Sequence, residues 1–414
     1  MAAPVAVIGA GLSGLNSARV LADAGREVTV YEASDGVGGR ARTDEVDGFQ
    51  LDRGFQVLLT AYPEARRTFD YAALDLGDFE PGALIRLNGR FSPFTDPIRR
   101  PGSAVSAISS PVMGITDKLR IARMRQELLA TSPGEILSRP DLTAIESLRR
   151  RGFSLFALER FFKPFFGGVF IDPDLTTSSR LLEIFFRCFS AGSAALPAGG
   201  IGNLADSIAA ALPEGSILLN RPVREVKADG FRLDDGEWTE APAVIVATDE
   251  RTASALAGVP EPGPGRVTTC VYYDAPAADL GGRSLRLSPS GPGPINELAV
   301  PSAVADGYAP AGRSLVSVSA IGNNALIDNL EQQVRNQLGE WFGTETVARW
   351  NHLATRTVSD ALPDFVPGRF EPGGQDPALD SGLFVCGDYR ESPSIQGALA
   401  SGRKAAEAVL TRLA

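Results

Sequence analysis

Val5-Ala-Val-Ile-Gly-Ala-Gly-Leu-Ser-Gly14, continued by a run through Leu15, Ala18, Leu21 and Ala22 to Gly25 and then by Val28-Thr-Val-Tyr-Glu32, decides how this chain folds. The four apolar residues before Gly9 read as a buried strand, and the apolar spacing after Gly14 reads as a helix that stops at Gly25. Val28 to Tyr31 is a second strand, and it ends in a carboxylate about 20 residues beyond the glycines. Each glycine answers a separate steric need. Gly9 permits a sharp turn, Gly11 lets the backbone approach a pyrophosphate, and Gly14 lets the helix lie close to the strand. The helix opens at Leu12 and Ser13 with unpaired N–H groups and a positive dipole end, a natural seat for an anion. Glu32, followed by Ala33, stands where the ribose hydroxyls of a dinucleotide are held, and a carboxylate there disfavours a 2′-phosphate and hence NADP.

The remaining composition narrows the function by exclusion. With 44% hydrophobic and 22% charged residues over 414 positions, the chain can bury a sizeable core in two or three domains. A net charge of -10 repels phosphate backbones, so no nucleic-acid partner is expected. The most apolar region, Phe153 to Phe189, is interrupted by Glu159, Arg160, Lys163 and Asp172, which a membrane-spanning helix does not tolerate. Met1 to Ile8 runs straight into the first strand without a leader pattern, so a cytoplasmic location is expected. Cys188, Cys270 and Cys386 are odd in number and widely spaced, which suits buried thiols better than disulfides or a metal site. His352 is the only histidine and is expected to be structural, and no metal is expected.

The continuation Glu32-Ala-Ser-Asp-Gly-Val-Gly-Gly-Arg-Ala-Arg-Thr43 resembles the flavin amine oxidase, phytoene desaturase and protoporphyrinogen oxidase superfamily. That resemblance implies non-covalent FAD, with Gly38, Gly39 and Arg40 meeting its pyrophosphate and ring. Arg40 offers a planar fork of donors suited to that task. Leu51-Asp-Arg-Gly-Phe-Gln-Val57 resembles the superfamily's Asp-x-Gly segment, which places Gly54, Phe55 and Gln56 beside the isoalloxazine. Leu383-Phe-Val-Cys-Gly-Asp388 and the helix that follows Ser394 resemble its closing strand and helix. They imply contacts from Gly387 and Asp388 to the ribityl chain, and from the Ile395 N–H and Ala398 to the ring. A helix start stabilises adjacent negative charge, such as that on a reduced ring, by about 0.3 to 2 kcal/mol. Leu218 to Val226 resembles the strand that sets Val223 against adenine, and Ala243 to Asp249 resembles the one carrying Ala247. The glycine cluster Gly199-Gly-Ile-Gly202 lacks the strand and acid of a second dinucleotide site, so no NAD(P)H domain is expected.

The substrate side is less specific. About half of the 21 phenylalanines lie between Phe153 and Phe189, read either as a helical core or as an apolar tunnel or membrane-docking face, with Phe165 and Phe166 as candidate lining. Lys163 and Pro164 interrupt that run. Basic residues Lys118, Arg120, Arg123 and Arg125 read as a solvated helix face or a lipid-headgroup contact. Amine oxidases of the superfamily hold a lysine near the ring and an aromatic cage at the last helix. Here Thr269 aligns with the lysine and Ser394 with a cage tyrosine, so both are missing, although Lys163 could approach from elsewhere.

The expected fold is therefore α/β: a Rossmann-like FAD domain from segments 1–60, 196–264 and 366–414, and an α+β substrate domain from 61–195 and 265–365. The expected function is FAD-dependent desaturation or isomerisation of an apolar, carotenoid- or isoprenoid-like molecule. Oxygen or a quinone is the expected electron acceptor, and peripheral membrane contact is in keeping with such a substrate. Oxidation of an amine, and prenyl binding without redox chemistry as in the GDP-dissociation inhibitors, are the alternatives. No catalytic acid or base is assigned.

Overall fold

Five short parallel strands, in the order Ile217–Leu218, Val28–Tyr31, Val5–Ile8, Val244–Val246 and Phe384–Val385, form one sheet of the computed structural model. The structure describes residues 3–96, 99, 102, 109–289, 291, 293–369 and 373–414. Parallel strands bury both faces, and these do so by alternation. Val5, Val7, Ala243 and Ile245 face the helices Leu12–Asp23 and Ile395–Arg412. Ala6, Ile8, Val244 and Val246 face a three-stranded antiparallel sheet formed by Val223–Lys227, Gly230–Leu233 and Trp238–Glu240. The first helix ends where the glycine was read: Gly25 takes φ +76°, and the Arg26 N–H closes on the Leu21 carbonyl.

The run from Leu218 to Val226, expected as one strand, is two. Leu218 ends the parallel sheet, Asn220 turns the chain with φ +54°, and Pro222 has no N–H to continue a ladder. Val223 then opens the antiparallel sheet, opposite Leu233.

A second sheet has seven strands, in the order Asn351–Leu362, Arg266–Pro276, Arg313–Ile321, Glu297–Ala299, Leu285–Leu287, Gly82–Leu87 and Arg90–Thr95. Its two faces divide by residue parity. Val271, Tyr273, Val316 and Val318 pack under the helix Leu330–Phe342. Cys270, Tyr272 and Leu315 pack toward Phe49, Leu51 and Phe79, and thus toward the FAD-domain side.

The phenylalanine-rich run is helical through Lys163 and Pro164, which do not interrupt it. Leu158–Phe162 is a π turn, and Pro164 lies directly after it in the same continuous helical run, at the start of Lys163–Phe170. Together with the helix Ser179–Ala191, this segment buries Phe161, Phe162, Phe166, Phe170, Phe185 and Phe186 in one core. Among the described residues, no helix is long and apolar enough to cross a membrane.

Candidate functional site

The glycine turn is built as a cradle. Gly9 takes φ +107°, and a side chain there would meet the Ala247 carbonyl oxygen at 2.8 Å. A Cβ on Gly14 would lie 2.0 Å from the Gly9 oxygen, so helix and strand approach as only glycine permits. A Cβ on Gly11, in contrast, would meet nothing within 4 Å: the backbone there faces open space of the kind a diphosphate needs. No side chain caps the helix that begins at Leu12 and Ser13, which leaves its first-turn N–H groups for an anion. Glu32 lies beside this turn, accepting from the Ala10 N–H at 2.7 Å and from Ser34 N and Oγ at 2.9 and 2.7 Å. Ala33 follows it just beyond the end of the strand Val28–Tyr31. Gly38 bridges Gly11 in parallel register and donates to the Ala10 carbonyl at 2.8 Å, while Gly39 sits over the Gly11 Cα. The two glycine motifs, far apart in their sequence signals, thus form a single surface.

The end of the chain closes on the same place. Arg40 Nη2 bonds Asp388 Oδ1 at 2.6 Å, a contact across 348 residues, and Arg40 Nη1 donates to the Ala361 carbonyl at 3.0 Å. The last helix crosses the first at very short range. Asn16 Nδ2 donates to the Leu399 carbonyl at 2.7 Å, and a Cβ on Gly402 would stand 2.2 Å from the Ser13 oxygen. Arg403 forks onto the buried Glu64 at 2.9 to 3.2 Å, and Lys404 pairs with Glu391, so the helix is held from two sides. Ser394 caps it, accepting from the Gly397 N–H at 3.0 Å, and the Ile395 N–H has no acceptor among the described residues. Ala398 lies on the first turn beside it. Gly387 leads into Asp388, and its N–H is taken up by Ser401 Oγ. Burial pushes the neighbouring Cys386 thiol up to about 12, so it stays protonated and is a poor nucleophile toward a flavin.

Sequence reading did not foresee how the segment after Leu51 is anchored. Asp52 is buried; Thr43 Oγ1 and the Ile201 N–H donate to Oδ1 at 2.6 and 2.9 Å, and the Tyr308 hydroxyl donates to Oδ2 at 2.8 Å. Tyr272 donates to its backbone carbonyl at 2.6 Å. The glycine cluster at Gly199 to Gly202 serves this knot, and Gly200 and Gly202 close tightly on Thr43. The result is a rigid presentation of Gly54, at φ +89°, and of Phe55, whose N–H meets Cys270 Sγ at 3.3 Å. Gln56 ties the segment to the Arg40 carbonyl at 2.8 Å.

Two buried carboxylates give the fold a pH dependence. Burial pushes Asp52 up to about 6, against the opposing hydrogen bonds from Thr43, Ile201 and Tyr308. Burial pushes Glu297 up to about 7, against those from Asn296 and Ser319. Both groups hold a proton in the folded chain at pH values where the unfolded chain has released it. Their contribution is therefore most favourable below the ordinary carboxylate range and is lost as pH rises through about 6 and 7. Each shift corresponds to about 3 kcal/mol. Asp44 has the opposite sign, because Arg53 and Arg356 bring it to about 2 against its burial, but its contribution fades only in strong acid. The urea midpoint is expected to fall between about pH 4 and pH 7 and to level off above that, and Glu297→Gln should flatten the upper half of that fall. A midpoint that rises across this range would contradict the assignment.

The substrate-side expectations need correction. Thr269 lies on the wrong face of its strand: its hydroxyl donates to the Ala325 carbonyl at 2.7 Å and meets Thr357 Oγ1 at 2.8 Å. Thr268 is the residue whose methyl lies toward Gly54, and Cys270 and Tyr272 share its side. Lys163 does not approach the site, being paired with Glu159 at 2.7 Å on its own helix. Phe166 stacks with Phe162, Phe170 and Phe186 at 6.0 to 6.2 Å and is a core ring, while Phe165 is half-buried against Phe161 and Phe189. Ser394 acts as a helix cap, and the aromatic ring near it comes from Tyr62, whose hydroxyl lies beside Ser394 and whose own ionisation burial pushes far up. No sequence signal marked Tyr62, because its place depends on a contact across more than three hundred residues. His352 is exposed and bonds Thr355 at 2.8 Å, consistent with a structural residue.

Known proteins share these features. The carotenoid phi-ring synthase of Streptomyces griseus is 30% identical over 208 residues, which are 46% of this chain and 40% of that relative. The putrescine oxidase of Kocuria rosea is 28% identical over 268 residues, 61% of this chain and 55% of the relative. The chain thus matches about half the length of these curated relatives. An oxidoreductase from Methanosarcina mazei has the same fold, with a TM-score of 0.71 at 19% identity over 99% of both chains. Residues 12–410 match the family model of flavin-containing amine oxidoreductases, and the chain belongs to that family, with FAD as its cofactor.

Proposed function

We propose that this flavoprotein desaturates, or isomerises, an apolar isoprenoid-like molecule. The observation that carries the reading is the series of rings beginning at the start of the last helix. Tyr62, beside Ser394, lies edge-on to Phe185 at 6.2 Å; Phe185 meets Phe170 at 5.2 Å, and Phe170 meets Phe166 at 6.0 Å. These rings are buried and form a continuous apolar backing from the cofactor end into the phenylalanine-rich helices, and the strand face toward Gly54 presents Thr268, Cys270 and Tyr272 in place of a lysine. Such surroundings suit a hydrocarbon.

FAD, when bound, supplies hydride acceptance. The protein's part is to hold the backbone from Arg53 to Gln56 rigid through Asp52, to exclude water with apolar side chains, and to set the starts of two helices toward the anionic parts of the cofactor. In desaturation one substrate carbon gives up hydride with its electron pair, a neighbouring carbon gives up a proton, and a diffusible acceptor such as oxygen or a quinone takes the two electrons. The intact Glu32, Gly38, Gly39, Arg40 and Asp388 set weighs against prenyl binding without redox chemistry.

One feature favours amine oxidation as a second reading. Glu297 is buried, bonded to Asn296, and has no cationic partner among the described residues, so an ammonium ion could compensate it. Anaerobic mixing with a carotene, a polyamine and an aryl amine separates the readings. Bleaching of the flavin absorbance by the carotene alone is expected, or, for an isomerase, no bleaching but turnover of the carotene only after prior reduction of the flavin. Bleaching by either amine and inertness toward the carotene would overturn the proposal.

A further inference from the structure

Four large apolar side chains stand exposed at one end of the substrate domain. Ile115 and Leu119, one turn apart on the helix Ile115–Ala130, are 55% and 64% exposed. Leu155 and Phe156, on the short helix Leu155–Ala157, are 66% and 61% exposed. The two helix starts are joined at Asp117, which accepts from Ser154 N at 3.0 Å and from Ser154 Oγ at 2.5 Å. Arg160 lies over the Phe156 ring at 4.4 Å and donates to the Pro111 carbonyl at 3.1 Å, which brings the second helix against the approach to the first.

The charge around these side chains is positive, although the whole chain carries -10. Lys118, Arg120, Arg123 and Arg160 lie at this end, whereas its acids are engaged within the fold: Asp117 with Ser154 and Arg120, and Glu159 with Lys163. An open groove lined by Ala122, Arg123, Gln126 and Leu129 continues the surface along the same helix. Apolar side chains on protruding helix starts with cations beside them match the layering of a bilayer surface, whose acyl boundary lies beneath anionic phosphates. Four side chains also present well under the roughly 800 Å² per partner that a stable protein interface buries.

We propose that this end of the molecule docks on an anionic phospholipid bilayer, with Ile115, Leu119, Leu155 and Phe156 entering the headgroup boundary and Arg120, Arg123 and Arg160 meeting lipid phosphates. The proposal does not depend on which substrate the enzyme takes, because its test reads lipid binding alone. The FAD-loaded protein is floated with vesicles of phosphatidylcholine, with and without phosphatidylglycerol. Flotation is expected with the anionic vesicles, weakening as salt is raised. The double substitution Leu155→Glu with Phe156→Glu should lower the bound fraction by about tenfold or more. Arg123→Glu should lower it less, and Leu326→Glu, at a position 63% exposed elsewhere, should leave it unchanged. Flavin content and urea midpoint should match the parent in every variant, since all these positions are on the surface. Failure of the parent to float, flotation that survives the double substitution, or light scattering that shows a dimer dissolved by that substitution without any flotation would each overturn the proposal.

Discussion

Gly402→Val is expected to release FAD and to open the junction between the first and last helices. A Cβ at Gly402 would lie 2.2 Å from the Ser13 oxygen and 3.1 Å from the Ser13 Cα, and both are backbone atoms that no side-chain rotation can move aside. Overpacking a core costs typically 1 to 3 kcal/mol, and a clash between two helix backbones lies at or beyond the upper end. The Asn16 to Leu399 hydrogen bond, which depends on the same crossing, would be lost with it. Both helices are expected to present their starts to the cofactor, so separating them should misplace two anion-stabilising termini together. A fall in FAD affinity of about a thousandfold is expected, equivalent to about 4 kcal/mol. Flavin absorbance per chain after purification, followed by titration with FAD, measures it. Thr411→Val, the same side chain on the exposed part of the same helix, should keep its flavin. A Gly402→Val protein that binds FAD like the parent would refute the helix contact on which the whole site rests.

Arg40→Ala should have the next largest effect. Its guanidinium is the partner of Asp388, whose side chain is only 6% exposed, while Arg40 itself remains 36% exposed. Breaking a fully buried pair costs about 3 to 5 kcal/mol through the charge left behind. The solvent around Arg40 reduces that to about 2 kcal/mol. Affinity for FAD should fall further than stability, by about a hundredfold, because the Arg40 donors not spent on Asp388 and the Ala361 carbonyl are expected to meet the cofactor's phosphates. The pair can be separated from the ligand contact by a cycle. Adding Asp388→Asn to Arg40→Ala should restore part of the lost thermal stability and none of the lost FAD affinity. Recovery of affinity in the double variant would show that Arg40 acts only through Asp388, and that would contradict its assignment to the cofactor.

The glycine turn and the packing of the chain ends around it were legible in the sequence, and the arrangement of the phenylalanine-rich segment and the second sheet was not. Gly9, Gly11, Gly14, Gly38, Gly39 and Glu32 announce themselves because steric need and short chain distance act together, and the structure gathers them on one surface. The run from Leu218 to Val226 was read as one strand because hydrophobicity continues through it, while the left-handed Asn220 and the missing N–H of Pro222 divide it. Thr269 was placed one residue from Thr268, the position that faces Gly54. In a strand, one residue exchanges the faces, so an alignment by eye identifies the strand and still leaves the face undecided. The phenylalanines showed the same limit: composition marked an apolar body, but only packing separates the core rings of Phe162 and Phe166 from the exposed Phe156.

By its sequence alone this chain determined a parallel sheet with a glycine cradle at one end, a closing helix at the other, and a carboxylate, Glu32, beside that cradle. Those features are local, each enforced by backbone sterics within about 20 residues. Tertiary structure alone decided the knot around Asp52, the placing of Tyr62 against Ser394, and the Arg40 to Asp388 pair that joins the two ends. Each of these joins residues far apart in the chain, and no local pattern encodes such a meeting: it follows only when every buried polar group must find a partner inside the one compact arrangement that satisfies the rest.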